Sequence, residues 1–248
     1  TNKNGFSFGT KFEYLDDLNL GLGTSTYHEK IETDSSASAR QKKMEGNYFD
    51  IFTNINFDYD KRNQKFKATK GYRSFYNLDL PVVSDTSTLK NTYDLKYYNS
   101  LFEDNITTTG FLFKSSNSLN NKDVKLTERL FIPSSRLRGF EYGKIGPKDG
   151  GDYIGGNFIT AVNFNTNIPQ LFPSAENFEF LFFVDAANIW GVDYDSSLDK
   201  NSDIRSSFGI AVDWMTVAGP LNFSFAQPIS KSKSDITETF RFNLGTTF

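Results

Sequence analysis

Apolar and polar residues alternate with a period of two along most of the chain. In TFRFNLGTTF, residues 239–248, Phe240, Phe242, Leu244 and Phe248 fall on one face, with Arg241, Asn243 and Gly245 on the other. RSSFGIAVDW, residues 205–214, sets Phe208, Ile210, Val212 and Trp214 against Arg205, Ser207, Gly209 and Asp213. Residues 157–168 set Phe158, Val162, Phe164 and Ile168 against Ala161, Asn163, Asn165 and Asn167; residues 47–59 set Phe49, Ile51, Ile55, Phe57 and Tyr59 against Asp50, Asn54, Asn56 and Asp58. A period of two is that of a β-strand whose two faces meet different surroundings. Eleven such strands are expected, near 5–14, 18–31, 46–60, 65–80, 90–103, 105–114, 153–168, 177–190, 204–215, 219–228 and 238–248. Most reach the roughly 9–11 residues that a tilted strand needs to cross a bilayer.

The links alternate in length. Short turns are expected at 15–17, 61–63, 104–105 and 216–218, and longer polar segments at 32–45, 81–89, 115–152, 191–203 and 229–237; the link 169–176 is intermediate and carries two prolines. Short turns at one end and long loops at the other are the arrangement of bacterial outer-membrane barrels. Such single-chain barrels have an even number of strands, and an open sheet would leave two unpaired edges in lipid at high cost. An odd count therefore predicts that residues 1–248 are the C-terminal portion of a larger barrel, with at least one earlier strand missing.

Composition sharpens this picture. The chain of 248 residues contains 26 Phe and 12 Tyr, yet its mean hydropathy is polar, at -0.48. Strands with one face on lipid and one on a polar lumen reconcile the two numbers. No run of about 18 apolar residues suggests a transmembrane helix, and no signal-peptide pattern opens the sequence. Cysteine is absent, which excludes disulfides, thiolate metal sites and a cysteine nucleophile. The net charge of -3 argues against a nucleic-acid partner. A single histidine, His28, leaves no partner for a metal site or a catalytic triad, so no metal, cofactor or enzymatic activity is expected. A soluble β-sandwich is the competing fold; the alternation and the loop asymmetry oppose it.

The longest expected loop contains RLRGFEYGKIGPKDGGDYIGGN, residues 136–157. Arg138-Gly139-Phe140, followed by Ile145-Gly146-Pro147-Lys148 and Gly155-Gly156-Asn157, resembles the inward-folding loop of the BamA-type outer-membrane insertases. Phe183-Val184-Asp185, Trp214-Met215 with Gly219-Pro220-Leu221 and Ala226-Gln227-Pro228, and the closing Phe240-x-Phe-Asn-x-Gly with terminal Phe248 extend that resemblance, strongest from residue 136 onward. It implies a barrel of about sixteen strands, preceded in full-length relatives by periplasmic POTRA domains. It implies insertion of nascent β-barrel proteins into the outer membrane, with accessory lipoproteins reached through those domains and with outer-membrane lipids around the barrel.

The residues can also be read on their own chemistry. Gly139 permits a tight turn at the loop tip. Arg138 carries five planar donors and needs acceptors once buried; Asp185, on the lumen-facing phase of its strand, is the natural partner, as the resemblance also implies. A second acidic partner in the family corresponds here to Asn165, which supplies an acceptor without charge, so Asp213 or Glu141 could complete the balance. The glycine pairs Gly150-Gly151 and Gly155-Gly156 precede a strand, not the helix that a phosphate loop requires. Trp190 and Trp214 fit interfacial girdles. In the terminal strand, Phe240, Phe242, Leu244 and Phe248 form a lipid-side stripe. The resemblance makes that stripe a signal read by assembly machinery and makes the strand one side of an openable seam, where Gly245 leaves a packing gap. A two-partner-secretion or TamA-like translocator and a passive porin are the alternatives.

Overall fold

The computed structural model of the chain describes residues 1–65, 67–169, 177–198, 203–216 and 219–244. Eleven strands form one antiparallel sheet: β1 (Asn2–Leu15), β2 (Leu18–Ile31), β3 (Gly46–Asp60), β4 (Gly71–Ser84), β5 (Thr88–Asn99), β6 (Thr107–Ser118), β9 (Phe158–Asn167), β10 (Phe178–Trp190), β11 (Arg205–Thr216), β12 (Gly219–Ser230) and β13 (Phe240–Leu244). Each pairs with its neighbours in chain order; β7 (Lys148–Asp149) and β8 (Asp152–Tyr153) form a small separate hairpin between β6 and β9. β1 and β13 are the two edges of the sheet.

The alternation sorts as the sequence predicts. Phe208, Ile210, Phe225, Phe240 and Phe242 are exposed on the outer face, whereas Asp50, Asn163, Asp185, Ser207, Asn222 and Ser224 are buried on the inner one. Phe158 stacks on Trp190 at one end of β10 (5.5 Å between ring centroids), and Phe178 stacks on Trp214 at the other (5.1 Å). Aromatic pairs thus mark both rims, as expected at two membrane interfaces.

Several strand boundaries differ from the sequence expectation. β4 starts at Gly71 and continues through Pro81 to Ser84. The register slips there, Phe52 facing Pro81 and Ile51 facing Val83; a bulge absorbs the missing N–H of a proline that otherwise reads as a strand end. Pro228 sits at a similar slip between β11 and β12. Residues 61–70 do not extend β4. Asn63 Oδ1 accepts from the backbone N–H groups of Thr69 and Lys70, and Gly71 turns back with φ +98° where a Cβ would strike Lys61 O. β5 and β6 shift accordingly, and β9 begins at Phe158 rather than 153. The loop asymmetry is therefore less regular than expected: the 61–70 link is long, and the 85–87 link at the long-loop end is short.

The long loop, residues 119–157, folds into the concave side of the sheet. Ile132, Leu137, Phe140 and Ile145 pack on Leu112, Ile159, Ala161, Ala187 and Ile189 of the wall. The core of this protein is thus a loop-to-wall contact inside the lumen.

Candidate functional site

The loop tip is built around Arg138, whose side chain is about 1% exposed. Its Nε donates to Asp185 Oδ2 (2.7 Å) and its Nη2 to Asp185 Oδ1 (2.7 Å), a two-pronged contact. The Arg138 backbone N–H also donates to Asp185 Oδ2 (3.1 Å). Nη2 donates further to Asn165 Oδ1 (2.6 Å), and the guanidinium lies 3.5 Å from the Phe183 ring centroid. Asp185 is fully buried, so a planar cation with fixed donor directions suits it better than a point charge would.

Neighbouring polar groups hold this pair in place. Asn163 Nδ2 donates to Asp185 Oδ1 (2.7 Å) and to Arg136 O (3.0 Å). Ser207 Oγ donates to Arg138 O. Arg136 Nη2 donates to Asp94 Oδ2 (2.6 Å). Asn165 is in contact as the residues suggest. Asp213 accepts from Asn222 Nδ2, and Glu141 is exposed.

Gly139 adopts φ +89°, and a Cβ there would lie 3.1 Å from Ala226 Cβ and 3.3 Å from Ser207 Cβ. Only glycine meets both the left-handed backbone and that close approach to the wall. Phe140, 2% exposed, fills the core beneath the tip. The backbone then runs beside the segment before β13: Phe140 bridges Thr237, Glu238 N–H donates to Gly139 O (3.1 Å), and Glu141 N–H donates to Ile236 O (3.0 Å). Arg241, on β13, donates through Nη2 to Phe140 O (2.8 Å). Loop tip and terminal strand are thus physically joined.

Phe240, Phe242 and Leu244 are exposed on the outer face of β13; Gly245 and Phe248 lie outside the described residues. Among the described residues β13 pairs with β12 from Leu221–Phe225 against Leu244–Phe240, and Ala226 N–H donates to Thr239 O (2.9 Å) just before it.

Sequence reasoning missed a second buried cluster at the other end of the loop. Lys125 contacts Asp50, Glu29 (3.4 Å) and Glu128 (3.9 Å), and Lys90 pairs with Glu128 (2.8 Å). Burial pulls the Lys125 ammonium pKa down, but Glu128, Asp50 and Glu29 outweigh it and leave it raised. Glu29 and Asp50 sit at inward positions of β2 and β3, so their phase could have flagged them; Lys125 lies in a loop without periodicity. Arg129 with Asp193 (2.8 Å) and Arg205 with Asp235 (3.0 Å) add two further buried contacts. His28 is exposed, and no cluster of potential metal ligands occurs among the described residues.

Comparison with known proteins agrees with this geometry. An outer membrane protein assembly factor BamA from Neorickettsia risticii is 25% identical over 244 residues, 96% of this chain and 33% of that protein. That from Neisseria meningitidis is 31% identical over 143 residues, 45% of this chain and 17% of that protein. The chain thus spans about a third or less of the length of these relatives. The crystal structure of BamA from Haemophilus ducreyi lacking POTRA domains 1–3 superposes with a TM-score of 0.86, covering 97% of this chain and 53% of that one at 24% identity. The Omp85 superfamily domain matches residues 1–248; the chain belongs to the Omp85 superfamily.

Proposed function

We propose that this chain is the C-terminal part of an outer-membrane barrel that assembles and inserts other β-barrel proteins. The observation that carries this reading is the buried Arg138–Gly139–Phe140 tip, joined through Arg241 and residues 236–238 to the terminal strand. A loop packed against the wall by an apolar core is unlike the open constriction of a passive porin.

The work is done by strand edges, without covalent chemistry. An unsatisfied edge in lipid is costly, so an incoming strand that pairs with it gains its backbone hydrogen bonds at once. β13, at the edge of the described sheet, is the natural side of an openable seam. The loop tip holds that strand in register while its pairing changes. Nascent barrel proteins are the substrates; accessory lipoproteins reach the protein through periplasmic domains ahead of the barrel, and the surrounding lipid is the medium they enter.

Depletion of the full-length protein from its cell tests this. Outer-membrane barrel proteins should fall together and accumulate unfolded in the periplasm. Loss of one secreted cargo with other barrels intact would favour a translocator of the two-partner-secretion or TamA type. Altered solute permeability alone would favour a porin.

A further inference from the structure

The lumen contains a second feature, at the short-link end below the loop tip. A cavity of about 400 Å³ lies between the 61–70 link, the inner faces of β5, β6 and β9, and the ends of β10 and β11; Ser135 and Arg136 form its roof. That volume is within the range of ligand sites, about 300–1,000 Å³. Its wall is unevenly charged. Asp60 binds Arg62 (2.7 Å), Asp94 binds Arg136 (2.6 Å), and Asp58 binds both Arg73 (2.8 Å) and Lys11 (2.6 Å). On the far side Lys67 is held by Glu179 (3.2 Å), and Asp213 accepts from Asn222. Lys96, half-buried on β5 and facing the cavity, makes no ion pair or hydrogen bond with any described residue. Opposite it on β6 stands Gly110, and the Arg136 guanidinium lies over that glycine, its Nη1 2.8 Å from where a Cβ would be.

We infer that this cavity is a receptor for a single carboxylate carried by an extended polypeptide, with Lys96 as its counter-ion. The inference rests on the assembly reading and names a chemical feature of its substrates. Of the two lining lysines without an ion pair among the described residues, Lys65 is exposed at the rim and Lys96 is half-buried, so Lys96 is the ammonium placed to meet a carboxylate inside the cavity. A phosphate would call for several free donors or an arginine fork, and the arginines here already hold carboxylates. The rest of the lining suits a peptide: Asn165, whose Oδ1 holds Arg138, has an Nδ2 to donate to a backbone carbonyl, and Phe178, Leu181 and Met215 offer apolar contact.

The test uses the full-length protein in nanodiscs and two labelled ten-residue strand peptides, differing only in one Asp or Asn. The Asp peptide should bind about tenfold more tightly, as for other close charge pairs. That preference should vanish in Lys96→Gln and persist in Lys96→Arg. Equal binding of the two peptides to the unaltered protein would overturn the inference, as would a preference that survives Lys96→Gln. Displacement of the peptide by millimolar inorganic phosphate as readily as by acetate would identify a general anion site and overturn the peptide assignment. Assembly of a barrel substrate in the same nanodiscs is read separately. Assembly without a carboxylate preference would sink this inference and leave the assembly reading intact; a preference without assembly would do the reverse.

Discussion

The long loop is held inside the barrel at two places by buried charge, and the two are built on different plans. At the tip, one guanidinium meets one carboxylate in fixed geometry, with amides and a hydroxyl filling the remaining positions. At the other end, Lys125 gathers Asp50, Glu29 and Glu128, with Lys90 as the only other cation in contact among the described residues. The first is charge-matched and directional; the second is a crowded cluster with more acid than base. Removing the cation from each should therefore cost different amounts.

The larger loss is expected for Lys125→Met. It leaves Asp50 and Glu29 buried with no described cation between them, and an uncompensated buried charge costs about 3–5 kcal/mol; about 5 kcal/mol is expected here. In the unaltered protein the raised Lys125 pKa contributes stability that is complete below its ordinary value of 10.5 and lost as the pH rises through the folded value. Denaturant unfolding of the folded barrel in detergent, at two pH values, measures both effects. A loss below that of the tip variants would show that water enters the cluster and screens it.

At the tip, Arg138→Ala leaves Asp185 with the backbone N–H of residue 138 and the Asn163 amide. About 3 kcal/mol is expected, toward the low end for a broken buried pair. Asp185→Ala should cost a similar amount, and the double variant less than the sum of the two, since contacting residues couple by about 0.5–3 kcal/mol. Strict additivity in the same unfolding experiment would mean that the pair is not coupled.

The two anchors also differ in how far the sequence discloses them. The tip is legible because Arg138 sits in an ordered set of motifs, and because Asp185 falls on the inward phase of a strand that alternates cleanly. The Lys125 cluster unites a loop residue with β2, β3 and β5, and no spacing along the chain encodes that meeting. Strand identity could be read for the same reason as Asp185: lipid on one side and lumen on the other impose a period of two. The boundaries at Pro81 and Gly71 could not, because a bulge lets a strand run through a proline, and a side-chain cap at Asn63 lets a link masquerade as a strand.

Gly139→Ala separates the tip's backbone requirement from its charge. A φ of +89° costs an L-residue about 1–3 kcal/mol, and the new Cβ would press on Ala226 and Ser207 from two strands. About 2 kcal/mol is expected, with the ion pair retained. A loss equal to that of Arg138→Ala would mean that the strain expels the whole tip, and protease cleavage after Arg138 in the folded barrel would then appear.

Asn165→Asp should change stability least and teach most about the tip. Asn165 already accepts from Arg138 Nη2 at 2.6 Å, so a carboxylate there gains a charge-assisted bond. It also sets a second anion against the same guanidinium beside Asp185. The two effects oppose each other, and a net change within about 1 kcal/mol is expected. The same substitution, however, puts a carboxylate on the wall of the cavity that Lys96 lines. If Lys96 waits for the carboxylate of a passing chain, Asp at 165 supplies one from within, and the preference for the Asp peptide should fall while the loop stays anchored. A variant as stable as the parent that has lost the peptide preference would separate the loop's anchor from the lumen's receptor, and an unchanged preference would show that Lys96 and residue 165 face different parts of the cavity.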